Sequence, residues 1–289
     1  PDAEHGSRPA AANLVSLLLA EGDLEPARVL IERDLRRLEA RVGPDALETG
    51  EALTDLVKLQ RLSGRLDQAL STQRRVLAIL ERWLGSRHVT VAMELRNLAA
   101  LLSASGDHAG ARTTLERAVE LAEAASGPNL PDLRYLYRPL SRAQWELGEH
   151  PGAVRTLERA LLLEERVNGP YHPNVAEDLN NLALKIHAQG QPLNGRALES
   201  AIRAAQINDR AADHLLPTLS PAEQSAWISG AIADSRSVLL SLWVSSGQAE
   251  VPYPVFAGWK GLLLQGLVRQ GAVATLAQDS RHGAAVTQL

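Results

Sequence analysis

Nine glycines stand on one ruler. Gly22, Gly43, Gly64, Gly85, Gly106, Gly127, Gly148, Gly169 and Gly190 follow one another at 21-residue intervals without a slip. A chain punctuated this evenly does not wrap one irregular core, because whatever forms between two glycines must form again in the next interval. Glycine takes the left-handed backbone that stops a helix at little steric cost. The intervals carry helical apolar spacing, as in Leu95, Leu98, Leu101 and Leu102, or Leu157, Leu161 and Leu162. Each is predicted to hold one helix of about 15 to 18 residues, or about 22–27 Å at the α-helical rise.

The true period is two intervals. Leu14, Leu56, Leu98, Leu140 and Leu182 each precede every second glycine by eight residues, and Ala27, Ala69, Ala111, Ala153 and then Gly195 follow it by five. A small residue at a fixed place in the second helix lets two backbones approach closely, which predicts helical hairpins. No hairpin of this size buries its apolar face alone, so five must stack, each touching mainly its neighbours. Composition agrees. The apolar fraction is 45%, but it includes only five Trp, four Tyr and one Phe, and Ala, Leu and Val favour closely packed helices over a sheet.

The Leu, Gly and Gly-x-x-x-x-Ala pattern resembles the tetratricopeptide repeat (TPR). The 42-residue period, with Gly169-Pro170-Tyr171-His172-Pro173-Asn174-Val175-Ala176 running into Leu179-Asn180-Asn181-Leu182-Ala183, resembles its kinesin-light-chain subtype. The expected fold is therefore all-α: a right-handed α-solenoid of about five hairpins over 11–211, with repeats near 11–45, 46–87, 88–129, 130–171 and 172–211, followed by a C-terminal helical segment over 216–289. The frame dissolves at its end, where Gly195 replaces the small-residue Ala and Ala211 stands where the next glycine would fall.

Beyond Leu215 the character changes. Residues 216–289 hold eight charged side chains and three of the five tryptophans, Trp227, Trp243 and Trp259. Ser220-Pro221-Ala222-Glu223 has Ser at the N-cap, Pro at the first helical position and Glu at N3, a capping-box start. It predicts a helix to Ser245 or Ser246, a turn at 247–254, a second helix over 255–269 and a third after Gly271. Part of this segment is expected to pack on the last repeat and the rest on a further domain outside the chain. Leu-Ser-Pro-Ala-Glu-Gln followed by Trp259-Lys260-Gly261-Leu262-Leu263-Leu264 resembles the link between the repeats and the caspase-like CHAT domain of bacterial TPR–CHAT proteins. That resemblance implies a His/Cys peptidase beyond these residues. Pro1 as first residue and Met93 as sole methionine likewise predict a piece of a longer protein.

Few function classes survive the composition. The absence of cysteine in these 289 residues excludes a disulfide framework, a Cys-ligated zinc and a cysteine nucleophile within them. A formal charge of −4 gives no electrostatic case for nucleic acid or an anionic membrane. Apolar runs fall short of the ~20 residues that cross a bilayer, and no signal sequence opens the chain, so it reads as cytoplasmic. No His-Glu-x-x-His, Walker loop, Gly-x-Gly-x-x-Gly or Gly-x-Ser-x-Gly occurs, and no cofactor or metal is implied. His88 and His172 fall three residues after a ruler glycine, and His108 and His150 two after, which makes them turn residues. Adjacent Glu164 and Glu165 diverge on a helix and cannot share a substrate proton. The run Arg33–Arg37 reads as an exposed helix face with intrahelical pairing, Glu32 with Arg36, and it lacks the aromatic platform of a nucleic-acid site.

What remains is a recognition surface. In a TPR array the first helices line the concave face, so equal offsets form rows. Ten before the hairpin glycine stand Ala12, Thr54, Arg96, Arg138 and Asn180; nine before, Asn13, Asp55, Asn97, Pro139 and Asn181; six before, Ser16, Lys58, Ala100, Arg142 and Leu184. Asparagine brackets a peptide amide and arginine binds carboxylates through charge-assisted bonds. Pro139 is expected to bend its helix, and Tyr135 and Trp145 on that helix to supply an apolar pocket. The expected partner-binding set is Lys58, Arg96, Asn97, Tyr135, Arg138, Arg142, Trp145, Asn180 and Asn181, for a protein or peptide of acidic character. The resemblance implies a non-enzymatic sensor region controlling an adjoining CHAT protease; the alternative is the sensor of a STAND-type NTPase or transcriptional regulator.

Overall fold

The computed structural model describes residues 7–126, 131–189, 195–215, 218–220 and 233–246, together with Glu223, Ala226 and Gly230. The regular elements are helices: α1 (Ser7–Glu21), α2 (Leu24–Val42), α3 (Leu47–Leu62), α4 (Leu66–Leu84), α5 (Val89–Ala104), α6 (His108–Ser126), α7 (Arg134–Glu146), α8 (His150–Asn168), α9 (Pro173–Ala188), α10 (Gly195–Leu215) and α11 (Ala233–Ser246), with a 3₁₀ turn at Pro131–Leu133. The chain forms two compact units, Pro1–Ala153 and Val154–Leu289, divided inside α8. Gly127, Gly190 and the helices expected beyond Ser246 lie outside the described residues.

The other seven ruler glycines all have positive φ, between 72° and 97°, but they stop helices in two ways. At Gly64 (φ 72°) the following residue folds back: Arg65 N–H donates to the Gln60 carbonyl at 2.8 Å and Gly64 N–H to that of Arg61 at 3.1 Å. This is a Schellman turn. The same fold-back bond runs from Asp23 to Leu18, Asp107 to Leu102 and Glu149 to Gln144. Gly85, at φ 86° and ψ 149°, instead donates to the Glu81 carbonyl at 3.0 Å and sends the chain out extended. The next helix is then capped by a histidine. His88 Nδ1 accepts from Thr90 N–H and His172 Nδ1 from Asn174 N–H, both at 3.2 Å. His88 and His172 are thus N-caps, which requires the ring proton on Nε2, while His108 and His150 are the first residues of α6 and α8.

In the first unit consecutive helices from α1 to α7 pack on one another, and α1 also meets α3, and α5 meets α7. First helices thus form one layer and α2, α4 and α6 the other. The small-residue ladder lies at the contact, with Ala27, Ala69, Ala111 and Ala153 all fully buried. The apolar ladder fills the rest, with Leu95, Leu101 and Leu115 among the largest fully buried side chains. The second helices α2, α4, α6 and α8 run 19 residues each, longer than the spacing predicts.

Arginines and glutamates 42 residues apart tie the second helices together. Arg75 on α4 bonds Glu39 on α2 at 3.0 Å, and Arg117 on α6 bonds Glu81 on α4 one repeat later. Within α2, Glu32 pairs with Arg28 at 2.7 Å rather than with Arg36; both partners lie one turn away, and Arg28 also holds Glu25.

In the second unit α9, α10 and α11 pack mutually. Gly195 opens α10 on the surface instead of sitting at a helix contact. Without a glycine at 211, α10 continues through Ala211 to Leu215. Leu239 and Leu242 of α11 are fully buried against Ala183, Ala201 and Ala205, so this part of the C-terminal segment covers the last hairpin as expected. The capping box also forms: Glu223 accepts from the Ser220 N–H at 2.8 Å and from its hydroxyl at 2.6 Å.

Candidate binding face

The first helices in the first unit bury one stripe and open another. Val15, Val57, Ala99 and Ser141, seven before the hairpin glycine, are buried, while Ser16, Lys58, Ala100 and Arg142, one residue on, are all exposed. The rows nine and ten before lie half-buried in α3, α5 and α7, with Thr54, Asp55, Arg96, Asn97, Arg138 and Pro139 at the shoulder of the face. The offsets that place Lys58, Arg96, Asn97, Arg138 and Arg142 on one accessible stripe follow from helix geometry.

Their engagements differ. Lys58 Nζ is 2.9 Å from Asp55, one turn away. Asn97 Nδ2 donates to Glu94 Oε2 at 3.1 Å, and that oxygen also accepts from Nε2 of the fully buried Gln73 at 2.6 Å. Glu94 thereby holds the Asn97 amide nitrogen, and the Asn97 Oδ1 is the amide's acceptor. Arg96 has no carboxylate, hydrogen-bond or aromatic partner, and among the described residues it is the one half-buried arginine of which this is true. Arg142, exposed one turn after Arg138, also holds no carboxylate among the described residues.

Tyr135 and Trp145 make separate ring contacts. Tyr135 is exposed with the Arg134 guanidinium 4.2 Å over its ring, and Trp145 packs on the His150 ring at 4.2 Å. Their shared helix α7 contains Pro139 and is 13 residues long, against 16 in α3 and α5. A cavity of about 280 Å³ lies between α5, α6 and the start of α7. Val89, Met93 and Leu136 form its apolar wall, and Thr90 and Asp132 supply its polar edge. Sequence offsets missed it because Asp132 belongs to the 3₁₀ turn, which has no counterpart in the other repeats among the described residues.

In the second unit the two asparagines part company. Asn181 is exposed on α9. Asn180 Nδ2 donates to Ser235 Oγ of α11 at 2.7 Å, and Asn208 Nδ2 reaches the same oxygen at 2.6 Å. Arg236 adds an ion pair to Asp209 at 2.7 Å. Asn180 thus holds the C-terminal helix in place, a contact 55 residues away in the chain. Among the described residues no group of three His, Asp or Glu could hold a metal ion, and no helix is long and apolar enough to cross a membrane.

Residues 89–161 match the family model of the tetratricopeptide repeat. No curated protein matches the chain. Among solved structures, the nearly identical kinesin-light-chain TPR-like repeats of Podosopora anserina share 20% identity at a TM-score of 0.61, over 70% of this chain and 95% of that one. BtubC of P. vanneervenii shares 18% at 0.56, over 86% and 92%. The Pyrococcus horikoshii STAND protein with a tetratricopeptide repeat sensor shares 13% at 0.62, over 90% of this chain and 37% of that one. At these identities the likeness is one of fold. Together with the family match it supports a TPR array, and TPR repeats imply a protein–protein interaction scaffold.

Proposed function

We propose that the first-helix face of α3, α5 and α7 captures an acidic segment of a protein partner, with Arg96 and Arg142 as its charge readers, Arg138 and Lys58 beside them, and Asn97 accepting from the segment's backbone. The observation that supports this most is Arg96. On the opposite layer, Arg75 and Arg117 are each closed by a glutamate of the neighbouring helix, whereas Arg96 is half-desolvated with no anion in place. A guanidinium so placed gains a charge-assisted bond from an incoming carboxylate without first losing one. Asn180 is left out of the set because Ser235 occupies it, and Asn181 because it lies in the second unit; Tyr135 and Trp145 remain as flanking contacts.

The regulatory setting is an adjoining effector that this sensor controls. The resemblance favouring a CHAT caspase-like protease rests on Trp259–Leu264, outside the described residues. The likeness to a STAND sensor, over 90% of this chain, supports the second setting, in which an ATPase is the effector.

The test is capture from a host lysate on the immobilised chain, read by mass spectrometry, against the double variant Arg96→Glu, Arg142→Glu. Loss of the captured proteins with an unchanged helical circular dichroism spectrum is the expected result. Equal capture by the two chains overturns the assignment of the face.

A further inference from the structure

We infer that α1 of one copy of this chain docks on α9 and α10 of another, in the place that α11 fills, so that the array extends from copy to copy when α11 leaves. α11 is then the terminator of that assembly. Neither surface includes the binding face of α3, α5 and α7.

Burial at the first hairpin marks one surface. Leu14 and Leu17 are 46% and 54% exposed. Leu59 and Leu101, which stand one and two repeats beyond Leu17, are buried, and so are Leu98 and Leu140, two and three repeats beyond Leu14. α3, α5 and α7 each pack on the second helix before them, α2, α4 and α6. Among the described residues α1 has no such neighbour. Leu14 and Leu17 therefore present the face that a second helix covers. Soluble arrays end on a polar face, and this one ends on leucine.

The other surface is at α10. It is a second helix and packs on α11 as α4 packs on α5, although α11 belongs to no repeat. Leu239 and Leu242 of α11 are fully buried against Ala183, Ala201 and Ala205. They stand in Leu239-Leu240-Ser241-Leu242, and the exposed pair of α1 stands in Leu14-Val15-Ser16-Leu17. A spacing of three puts both leucines on one helix face, and the serine between them is exposed in each helix. The alanine-lined site that holds the α11 pair has the shape to hold the α1 pair, which makes a second copy its fitting occupant.

Polar contacts decide which helix holds the site. Ser235 and Arg236 engage Asn180, Asn208 and Asp209. Ala10 and Ala11 stand at the corresponding places in the sequence of α1, and alanine has no polar group to offer. α11 is also part of the same chain, so its docking brings no second molecule together. The contact of α1 with α10 joins unlike surfaces and leaves the same two surfaces at the ends, so growth runs into rings or filaments.

The experiment follows mass by sedimentation velocity for the 289-residue chain and for variants confirmed helical by circular dichroism. The wild type is expected to stay monomeric at micromolar concentration. Leu239→Asp with Leu242→Asp, which removes α11 from its site and leaves the site whole, should assemble. Arg236→Glu changes no apolar contact and carries the test if the aspartates unfold the chain. It should lower the concentration at which assembly begins about tenfold, the worth of one charge-assisted hydrogen bond. Adding Leu17→Arg to either should restore the monomer. Because the chain has no cysteine, oxidising a mixture of Leu17→Cys and Ala201→Cys copies, both in the aspartate background, should join one to the other. Assembly that survives Leu17→Arg, assembly indifferent to the α11 substitutions, or crosslinks between two Leu17→Cys copies alone overturn the inference. So do α11 variants that stay monomeric while hydrogen exchange shows α11 released.

Discussion

A methyl group added at Gly64 or at Gly85 would meet no atom within 4 Å. Whatever such a substitution costs is therefore conformational, and the two positions separate two kinds of cost. Gly64 sits near the left-handed helical basin, which other residues enter at about 1–2 kcal/mol. Gly85 occupies φ 86° and ψ 149°, a region held essentially by glycine alone. Gly64→Ala is expected to lose about 1–2 kcal/mol and Gly85→Ala about 3 kcal/mol in urea unfolding at unchanged m. Equal losses would show that the two stops are one. The same residue-level contrast, two environments for one side-chain type, distinguishes Arg96 from Arg75.

At the scale of the element, the Ser220–Glu223 box makes its helix start sensitive to acid. The Ser220 hydroxyl, and after it the Ser220 backbone N–H, donate to Glu223 and hold its carboxyl below the ordinary carboxylate value. A depressed folded pKa stabilises the helix start at pH values above the unfolded value, and that support is lost as pH falls through the lower folded value. Titration of the Glu223 carboxyl by NMR should give a midpoint below 4.5, the unshifted value, with Ser220 amide protection falling in step; Glu223→Gln should flatten that fall. A midpoint at or above the unshifted value contradicts the box.

This box was legible in the sequence because a cap is local, as were the glycine stops and the alanine ladder, which the repeat multiplies. Other contacts depend on which surfaces meet. Arg75 and Arg117 stand 42 residues apart, as do Glu39 and Glu81, so the rungs between second helices were present as spacing; nothing in one helix alone says that these faces oppose. Asn180 read as a groove residue because its row holds Arg96 and Arg138, while the helix that claims it, α11, lies outside any repeat. The Asp132 pocket escaped for the same reason: it is built where the fourth repeat departs from the period.

Over the whole molecule, stability in a stack of repeats is expected to be local. Leu242 is fully buried in α11 against alanines of α9 and α10, so Leu242→Ala should cost about 2–5 kcal/mol in that neighbourhood. Hydrogen exchange is expected to accelerate in α9 and α10 while α2–α5 keep their protection. Uniform acceleration would mean that the array unfolds as one body.

The two glycine stops also govern which frames the chain can adopt by mistake. A ruler of one spacing would permit folding half a period out of step, with each second helix taking the part of a first. That shift of 21 residues preserves every glycine, yet it carries Glu48, Thr90, Asp132 and Asn174 to the places where Ala27, Ala69, Ala111 and Ala153 are fully buried. Two carboxylates, a hydroxyl and an amide would stand where two backbones nearly touch, unpaired and too large. Only displacement by a whole 42 residues leaves both punctuation and packing intact, so misthreading is confined to exchange of complete hairpins between chains, and half-period registers are excluded at the first contact.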